Sequence, residues 1–317
     1  MRNGTVTAIG LVLGFGLDRV FADPRRWHPV AGFGTAAAAL ERSTYGDRRL
    51  PGVAHEAIAV GAVAGVGVLA ARAVARRQVA GVAVTALATW TVLGGRSLAR
   101  VGHRMADRLE DGDLEGAREL LPSLCGRDPS VLDADGLARA ALESIAENTA
   151  DATVAPLVWG AVAGVPGLLA YRAVNTLDAM IGYRDDRYER FGWAAARVDD
   201  GANLVPARLT GLLTVALAPA VGGTPAAALR AWRRDAAAHP SPNAGVVEAS
   251  AAGALGVRLG GRTQYRHGVE MRPSLGDGPA PTVPDLRRAV RLSELVQAGA
   301  LVVAAACAAL IGRRAAE

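Results

Sequence analysis

Six apolar runs restrict what this chain can fold into more than any other feature. They lie near residues 4–17, 57–71, 79–95, 152–170, 209–222 and 295–312 of 317. Crossing the hydrocarbon of a bilayer takes roughly 20 helical residues, with a lower limit of about 17. Three of the runs meet that limit. The stretch 57–95 is a near-continuous apolar hairpin broken only by Arg72, Arg76, Arg77 and Gln78. The last run, Leu295 to Gly312, carries no charge and ends in Arg313-Arg314, which reads as a span with a basic anchor. The competing reading is a set of buried helices in a soluble alanine-rich protein. Hydrophobic residues make up 51% of the chain and mean hydropathy is +0.21, which favours the membrane.

The expected fold is therefore all-α, a multi-pass integral membrane helical bundle in the cell membrane. We expect one domain over 1–317. The segments 23–51, 96–151, 171–208 and 223–294 should be extramembrane or cavity-lining polar helices and loops. Val20-Phe21-Ala22 before Asp23 imitates a signal-cleavage site, but Asp18 and Arg19 interrupt the approach, so the first run is read as a retained span.

The segment 152–170 contains Pro156, Pro166 and three glycines, and Val165-Pro166-Gly167 is a turn signal inside apolar sequence. Polar motifs flank it on both sides. A straight crossing would put those motifs in opposite compartments. A helical hairpin broken near Pro166 returns them to one side. Irregular backbone at membrane depth is tolerated when it is buried in protein or lines a cavity.

Several chemistries are excluded by what is missing. The chain has no lysine, so its positive charge is all arginine. That removes a Walker-type phosphate loop and any lysine Schiff base. The two cysteines form no CxxC pair and the five histidines are scattered without an HExxH motif, which argues against zinc. No basic cluster is interleaved with aromatics, so nucleic acid is not an expected partner. Arg96, Arg100, Arg104 and Arg108 recur at i+4 and make one basic helical face, read as a helix on the bilayer surface or as a phosphate contact. Residues 269–285, rich in Pro and Gly, are expected to form a surface loop.

The informative polar residues are carboxylates and asparagines set in apolar helices. Asp133 and Asp135 are natural N-caps for a helix on which Glu143, Glu147 and Asp151 follow at i, i+4, i+8. Like charges at that spacing repel, so a cation or donor should stand opposite. Arg139 gives a partial structural answer. A salt-bridged face and a metal or substrate site both remain open. Asn175-Thr176-Leu177-Asp178 echoes Asn148-Thr149-Ala150-Asp151 across the broken hairpin. Each tetrad places an amide and a carboxylate one turn apart, and such oxygen donors suit Mg²⁺. Asp199 and Asn203, at i,i+4, lead into the run at Leu209, where ionisable residues are functional by default. Arg184, Arg197 and Arg208 could hold phosphate or carboxylate, or Arg197 and Arg208 could neutralise Asp199 and Asp200. His239-Pro240-Ser241-Pro242-Asn243 is a rigid polar loop in which Asn243 could cap the next helix. Asp23-Pro24 and His28-Pro29-Val30 form another.

Together these stretches resemble the membrane-bound adenosylcobinamide-phosphate synthases of cobalamin biosynthesis. The resemblance runs from Asp23-Pro24 and His28-Pro29-Val30 to Arg272-Pro273. It includes Gly-Asp-Leu at 112–114, Gly-Arg-Asp at 126–128, Arg139-Ala140-Ala141, Glu147-Asn148-Thr149 and Tyr171-Arg172-Ala173-Val174-Asn175-Thr176-Leu177-Asp178. Met180-Ile181-Gly182-Tyr183, Ala196-Arg197-Val198-Asp199-Asp200, Asn203, Pro206-Ala207-Arg208-Leu209, Ser241-Pro242-Asn243-Ala244-Gly245 and Gly253-Ala254-Leu255-Gly256 follow in order. Ala22 stands where the pattern leads one to expect glycine.

The resemblance implies an ATP-dependent amide ligase that joins the propionate carboxylate of adenosylcobyric acid, a corrinoid, to aminopropanol or its phosphate. Its implied cofactor is Mg²⁺, with ATP as co-substrate, and other late cobalamin-pathway membrane enzymes are conceivable partners. Under it, Glu147, Asp178 and Asp199 are the catalytic candidates, and Glu147, Asp151 and Asp178 the metal ligands. Asn148, Asn175, Arg184, Arg197, Asp200, Asn203, Arg208, Ser241, Asn243, Asp23 and His28 are the substrate or phosphate contacts. The alternatives are an intramembrane Mg²⁺-dependent prenyl or phosphate transferase, and a non-catalytic transporter or scaffold, for which paired broken helices would also serve.

Overall fold

The computed structural model describes residues 3–24, 28–183, 185–265 and 268–314. In chain order the helices are α1 (Asn3–Phe21), α2 (Pro29–Thr44), α3 (Arg49–Val74), α4 (Gln78–Val92), α5 (Gly95–Glu110), α6 (Leu114–Leu120), α7 (Ala134–Thr149), α8 (Ala155–Ile181), α9 (Trp193–Leu217), α10 (Pro225–Asp235) and α11 (Ala244–Leu255). Strands β1 (Leu259–Tyr265) and β2 (Gly268–Leu275) and helix α12 (Val283–Arg314) complete the chain. Among the described residues, six helical stretches are long and apolar enough to cross a membrane. The fold class is an all-α, multi-pass membrane bundle with one small antiparallel hairpin. The elements gather into two compact units. One comprises 1–94, 151–203 and 301–317, and the other 95–150 and 204–300.

The first unit turns the usual rule of burial inside out. Val66 and Leu69 of α3 are 61% and 66% exposed, while Asp18 and Glu56 are 0% and 5% exposed. Apolar side chains facing outward and carboxylates facing inward are what a lipid solvent selects. Close helix contacts rest on small residues. Gly10 and Gly14 of α1 lie against Thr85 and Thr89 of α4, Gly67 of α3 against Pro166, and Gly4 against Gly312. Without a hydrophobic drive between helices, such close backbone approach supplies the packing. Ala37, Ala59, Leu177, Ile181, Phe191 and Ala195 form a tighter core under α2, α3 and α8.

The broken hairpin is present, with its hinge at Gly164. That residue has φ 64° and ψ −146°, a conformation closed to other residues. Two contacts prove the reversal. Trp159 Nε1 donates to the carbonyl of Ala202 and the Tyr171 hydroxyl donates to Asn203, the next residue along. In a straight helix residues 159 and 171 would stand about 18 Å apart. Just before α8 the ladder widens into a π-turn over Ala150–Val154. The expected single face for Glu143, Glu147 and Asp151 therefore does not extend past Thr149, because the extra residue shifts the helical phase.

In the second unit α5 buries Leu98, Ala99, Met105, Ala106 and Leu109. Its arginine face is divided. Arg100 and Arg104 are exposed, whereas Arg108 pairs with Asp113, the N-cap of α6. Asp133 caps α7 by accepting from Gly136 N at 2.8 Å. Residues 269–285 are not simply a loop. Residues 268–275 form β2, paired antiparallel with β1 through a register shift between Leu259 and Gly261. The burial along β2 does not alternate residue by residue, and side chains of α7 hold the backbone of β1. Arg139 donates to the carbonyls of Gly260 and Arg262, and Glu143 Oε1 accepts from Gly260 N at 2.7 Å.

Candidate functional site

In the first unit the reversal at Gly164 brings the polar ends of α8 back to one region. Asn175 Nδ2 lies 3.5 Å from Asp199 Oδ1, and Asn203 Nδ2 donates to Asp199 Oδ2 at 3.0 Å. Asn203 Oδ1 accepts from the buried Tyr171 hydroxyl at 2.9 Å. Arg172 donates to Asn175 Oδ1 at 3.3 Å. Five residues from two helices thus form one hydrogen-bonded chain, with Asp199 receiving an amide on each oxygen.

Carboxylates surround that chain. Asp178 lies one turn from Asn175, as the tetrad required. Glu56 of α3 is buried, has Asp178 and Asp199 within electrostatic range, and has no hydrogen-bond partner on either carboxylate oxygen among the described residues. Asp151, on the π-turn, interacts electrostatically with Tyr171 and Arg172, and Arg172 also with Asp23. His28 Nε2 is 3.6 Å from Asp23 Oδ1, while its Nδ1 caps α2 by accepting from Val30 N. His28 therefore has a structural task as well as a place in the cluster. Asp200 is half-buried and Arg197 exposed on α9. Arg184 lies outside the described residues.

Gly182 closes the end of α8 beside Asp178. A Cβ there would collide with the Asp178 carboxylate, so the glycine leaves the room that this side chain occupies.

The second unit builds a different polar centre. Glu143 is buried in an ion pair with Arg127, not with Arg139. Glu147, the next residue on that face, is exposed. Arg127 and Arg272 stand within electrostatic range of both Glu147 and Glu248. Glu248, inside the short helix α11, is buried, and burial together with the Glu147 charge pushes its carboxyl up to about 8. His239 Nε2 is 2.9 Å from an Arg272 guanidinium nitrogen and 3.8 Å from Glu248 Oε1. Burial and the Arg272 charge lower the His239 pKa, and a neutral ring accepting from Arg272 at Nε2 leaves Nδ1–H facing the Ser241 carbonyl at 3.2 Å.

The loop before α11 is held without help from Asn243 as a cap. Ser241 Oγ accepts from Asn243 N and Ala244 N at 3.3 and 3.2 Å. The Asn243 side chain instead accepts from Arg208 at 2.7 Å. Asn148 donates back to Ser144 of its own helix. The two tetrads are thus unlike in use: Asn175 reaches across to α9, and Asn148 does not leave α7.

Glu147 belongs to the second unit, and Asp151 and Asp178 to the first. Among the described residues no three His, Cys, Asp or Glu side chains stand close enough to share one metal ion. Residues that sequence reasoning passed over are Glu56, Tyr171, Arg127, Glu248 and Arg272. Glu56 carried a readable signal, a carboxylate at the edge of an apolar run.

The family described as CobD/Cbib protein matches residues 11–293 of the chain. A protein named cobalamin biosynthesis protein CobD from Mycobacterium tuberculosis (strain ATCC 25618 / H37Rv) is 62% identical over 297 residues, covering 94% of each chain. Proteins of the same name from Rhodobacter capsulatus and Chromobacterium violaceum are 45% and 43% identical, covering 94% and 90% of this chain and 94% and 92% of their own. No solved structure matches.

Proposed function

The chain belongs to the CobD/Cbib family, and from that premise we propose that it is the membrane enzyme of cobalamin biosynthesis that forms an amide between a corrinoid propionate and an amino alcohol. The substrates are adenosylcobyric acid, aminopropanol phosphate and ATP. A role in cobalamin biosynthesis follows from near full-length similarity to its named relatives. The ligase chemistry is the finer reading, and one observation carries it: an oxygen-only donor set in which both oxygens of the buried Glu56 lack a hydrogen-bond partner among the described residues, beside the half-buried Asp178 and Asp199.

That donor set fits Mg²⁺. The ion is usually bound by one or two carboxylates, with substrate phosphates and water completing its shell, so a cage of three acids is not needed. Glu56 and Asp178 would hold it, and when bound it would polarise a substrate oxygen brought against it. Asn175 and Asn203 fix the Asp199 carboxylate. Arg172 offers positive charge beside them.

A carboxylate is a poor acyl donor at neutral pH. In the proposed reaction the propionate oxygen attacks the γ-phosphorus of ATP, giving an acyl phosphate and ADP. The amine then attacks the acyl carbon and inorganic phosphate leaves. The amine must lose a proton to do so. Asp199, held by the Asn175 and Asn203 amides in the same unit as Glu56 and Asp178, is a carboxylate suited to accept it.

The test is amide formation in membranes carrying the protein, supplied with cobyric acid, aminopropanol phosphate and Mg-ATP, beside Asp178→Asn. Product from wild type alone supports the ligase and Asp178 as an ion ligand. Equal product from both removes Asp178 from that role. No product from folded wild type with either aminopropanol or its phosphate removes the ligase reading.

A further inference from the structure

The second unit contains a cavity that nothing above uses. It measures about 450 Å³ and is lined by Arg208, Trp232, Arg233, His239, Pro240 and Pro242, with small residues between them. That falls within the range of about 300–1,000 Å³ typical of small-molecule pockets. We propose that this cavity binds a nucleoside polyphosphate, with the base against the Trp232 indole and the phosphates between Arg208 and Arg233. The identification of that nucleotide as the ATP of the ligase rests on the function proposed above.

The first argument is charge. Among the described residues Arg208 donates to neutral acceptors only, Asn243 Oδ1 at 2.7 Å and the Leu204 carbonyl at 3.2 Å, so it is oriented but not neutralised there. Arg233 forms no ion pair among the described residues. Its neighbour Arg234 is consumed by Asp235 and Asp277. No carboxylate lines the cavity. Two guanidinium groups and no acid make a site for an anion, and the planar fork of arginine suits phosphate oxygens.

The second argument is shape. Trp232 is half-buried, with the benzo edge of its ring packed toward Gly211, where a Cβ would press on both Trp232 and Val246. The ring is therefore fixed rather than swinging. Pro240 and Pro242 stiffen the loop that contributes to the lining. His239 is held by Ser241 and Arg272, so it presents a rigid neutral face. A fixed indole beside two cations suits a flat aromatic group joined to phosphates better than a bare phosphate, because bases stack on such rings without needing specific hydrogen bonds. The chain has no lysine and no glycine-rich phosphate loop, so a nucleotide must be held by arginines in some such way.

The experiment uses the full-length protein in detergent, photolabelled with azido-ATP. We expect label within residues 225–246, suppressed by excess ATP and by Arg233→Ala. Arg233 is exposed, so this variant tests the site without threatening the fold. In the amide assay Arg233→Ala and Trp232→Leu should raise KM for ATP about tenfold or more, with KM for the corrinoid unchanged. Label elsewhere in the chain overturns the proposal. So does a rise in KM for the amine phosphate alone, which would make this an amine-phosphate pocket. If wild type forms amide and neither variant alters KM for ATP, the pocket assignment falls and the ligase stands. If wild type forms no amide yet labels within 225–246, the ligase falls and the nucleotide site stands.

Discussion

Asn203, one helical turn beyond Asp199, donates to its Oδ2 at 3.0 Å. The same amide accepts from Tyr171 at 2.9 Å, and Tyr171 and Asn203 are each 3% exposed. A buried donor that loses its acceptor costs about 1–3 kcal/mol, whereas removing both partners can be nearly neutral. Asn203→Ala should therefore destabilise the protein by about that amount, since it strands the Tyr171 hydroxyl. Adding Tyr171→Phe should cost little more. Thermal unfolding of both single variants and the double variant gives the coupling directly. Strictly additive losses would show that the two groups do not depend on each other.

Gly182 offers a probe of Asp178 that leaves the carboxylate itself in place. Its φ is −75°, so alanine brings no backbone strain. What alanine does bring is a Cβ against both the Asp178 carboxylate and the Asp178 carbonyl oxygen, so the last turn of α8 must give as well. Gly182→Ala should lower amide formation about tenfold or more, the cost of misplacing a reacting group by a fraction of an ångström, with some loss of melting temperature from the contact with the Asp178 carbonyl. Full activity in Gly182→Ala would mean that the Asp178 side chain can stand elsewhere without consequence.

Glu56 is expected to trade stability for activity. Both its oxygens are buried without hydrogen-bond partners among the described residues, and Asp178 and Asp199 add like charge. Burying a polar group without partners is costly, and Glu56→Gln removes the charge while giving two donors to the neighbouring carboxylates. The variant should melt higher than wild type and lose its response to added Mg²⁺. A lower melting temperature with an unchanged Mg²⁺ response would assign Glu56 to packing alone. Functional sites commonly carry such a cost.

The membrane architecture was legible because its signal is one-dimensional. Length and hydropathy place the spans, and Pro166 with its glycines located the reversal within two residues of the hinge at Gly164. The i,i+4 pair Asp199 and Asn203 was legible for the same reason, as local spacing survives folding. What stayed hidden depends on contacts distant in sequence. The strands β1 and β2 lack a readable two-residue pattern, and β1 is held instead by Arg139 and Glu143 from more than a hundred residues earlier. The partner of Glu143 is Arg127, 16 residues earlier in an irregular segment, and not Arg139 on its own helix. The π-turn at Ala150–Val154 has no sequence signature, so helical spacing carried too far placed Asp151 on one face with Glu147. The two asparagine tetrads read alike, and only the fold reveals that Asn175 faces an acid while Asn148 folds back on Ser144.

Glu248 should make the second unit lose stability toward alkaline pH. Its carboxyl sits near 8 in the fold against an ordinary 4.5, pushed up by burial and by Glu147, with Arg272 and Arg127 opposing. The folded state thus holds this proton more tightly than the unfolded chain. The stabilisation is complete below about pH 4.5 and is lost as pH rises through about 8. His239, 3.8 Å away, has the opposite sign. Its pKa is lowered by burial and by Arg272, so its contribution is present above the ordinary 6.5 and is lost as pH falls. The two groups act on different flanks of the profile. Melting temperatures measured in detergent from pH 5 to 9 should fall on the alkaline side for wild type, and Glu248→Gln should flatten that fall while leaving the acid flank in place. His239→Gln should flatten only the acid flank. If both variants run parallel to wild type across the range, neither proton is linked to folding, and the buried pair would have to keep its protonation state in the unfolded chain as well.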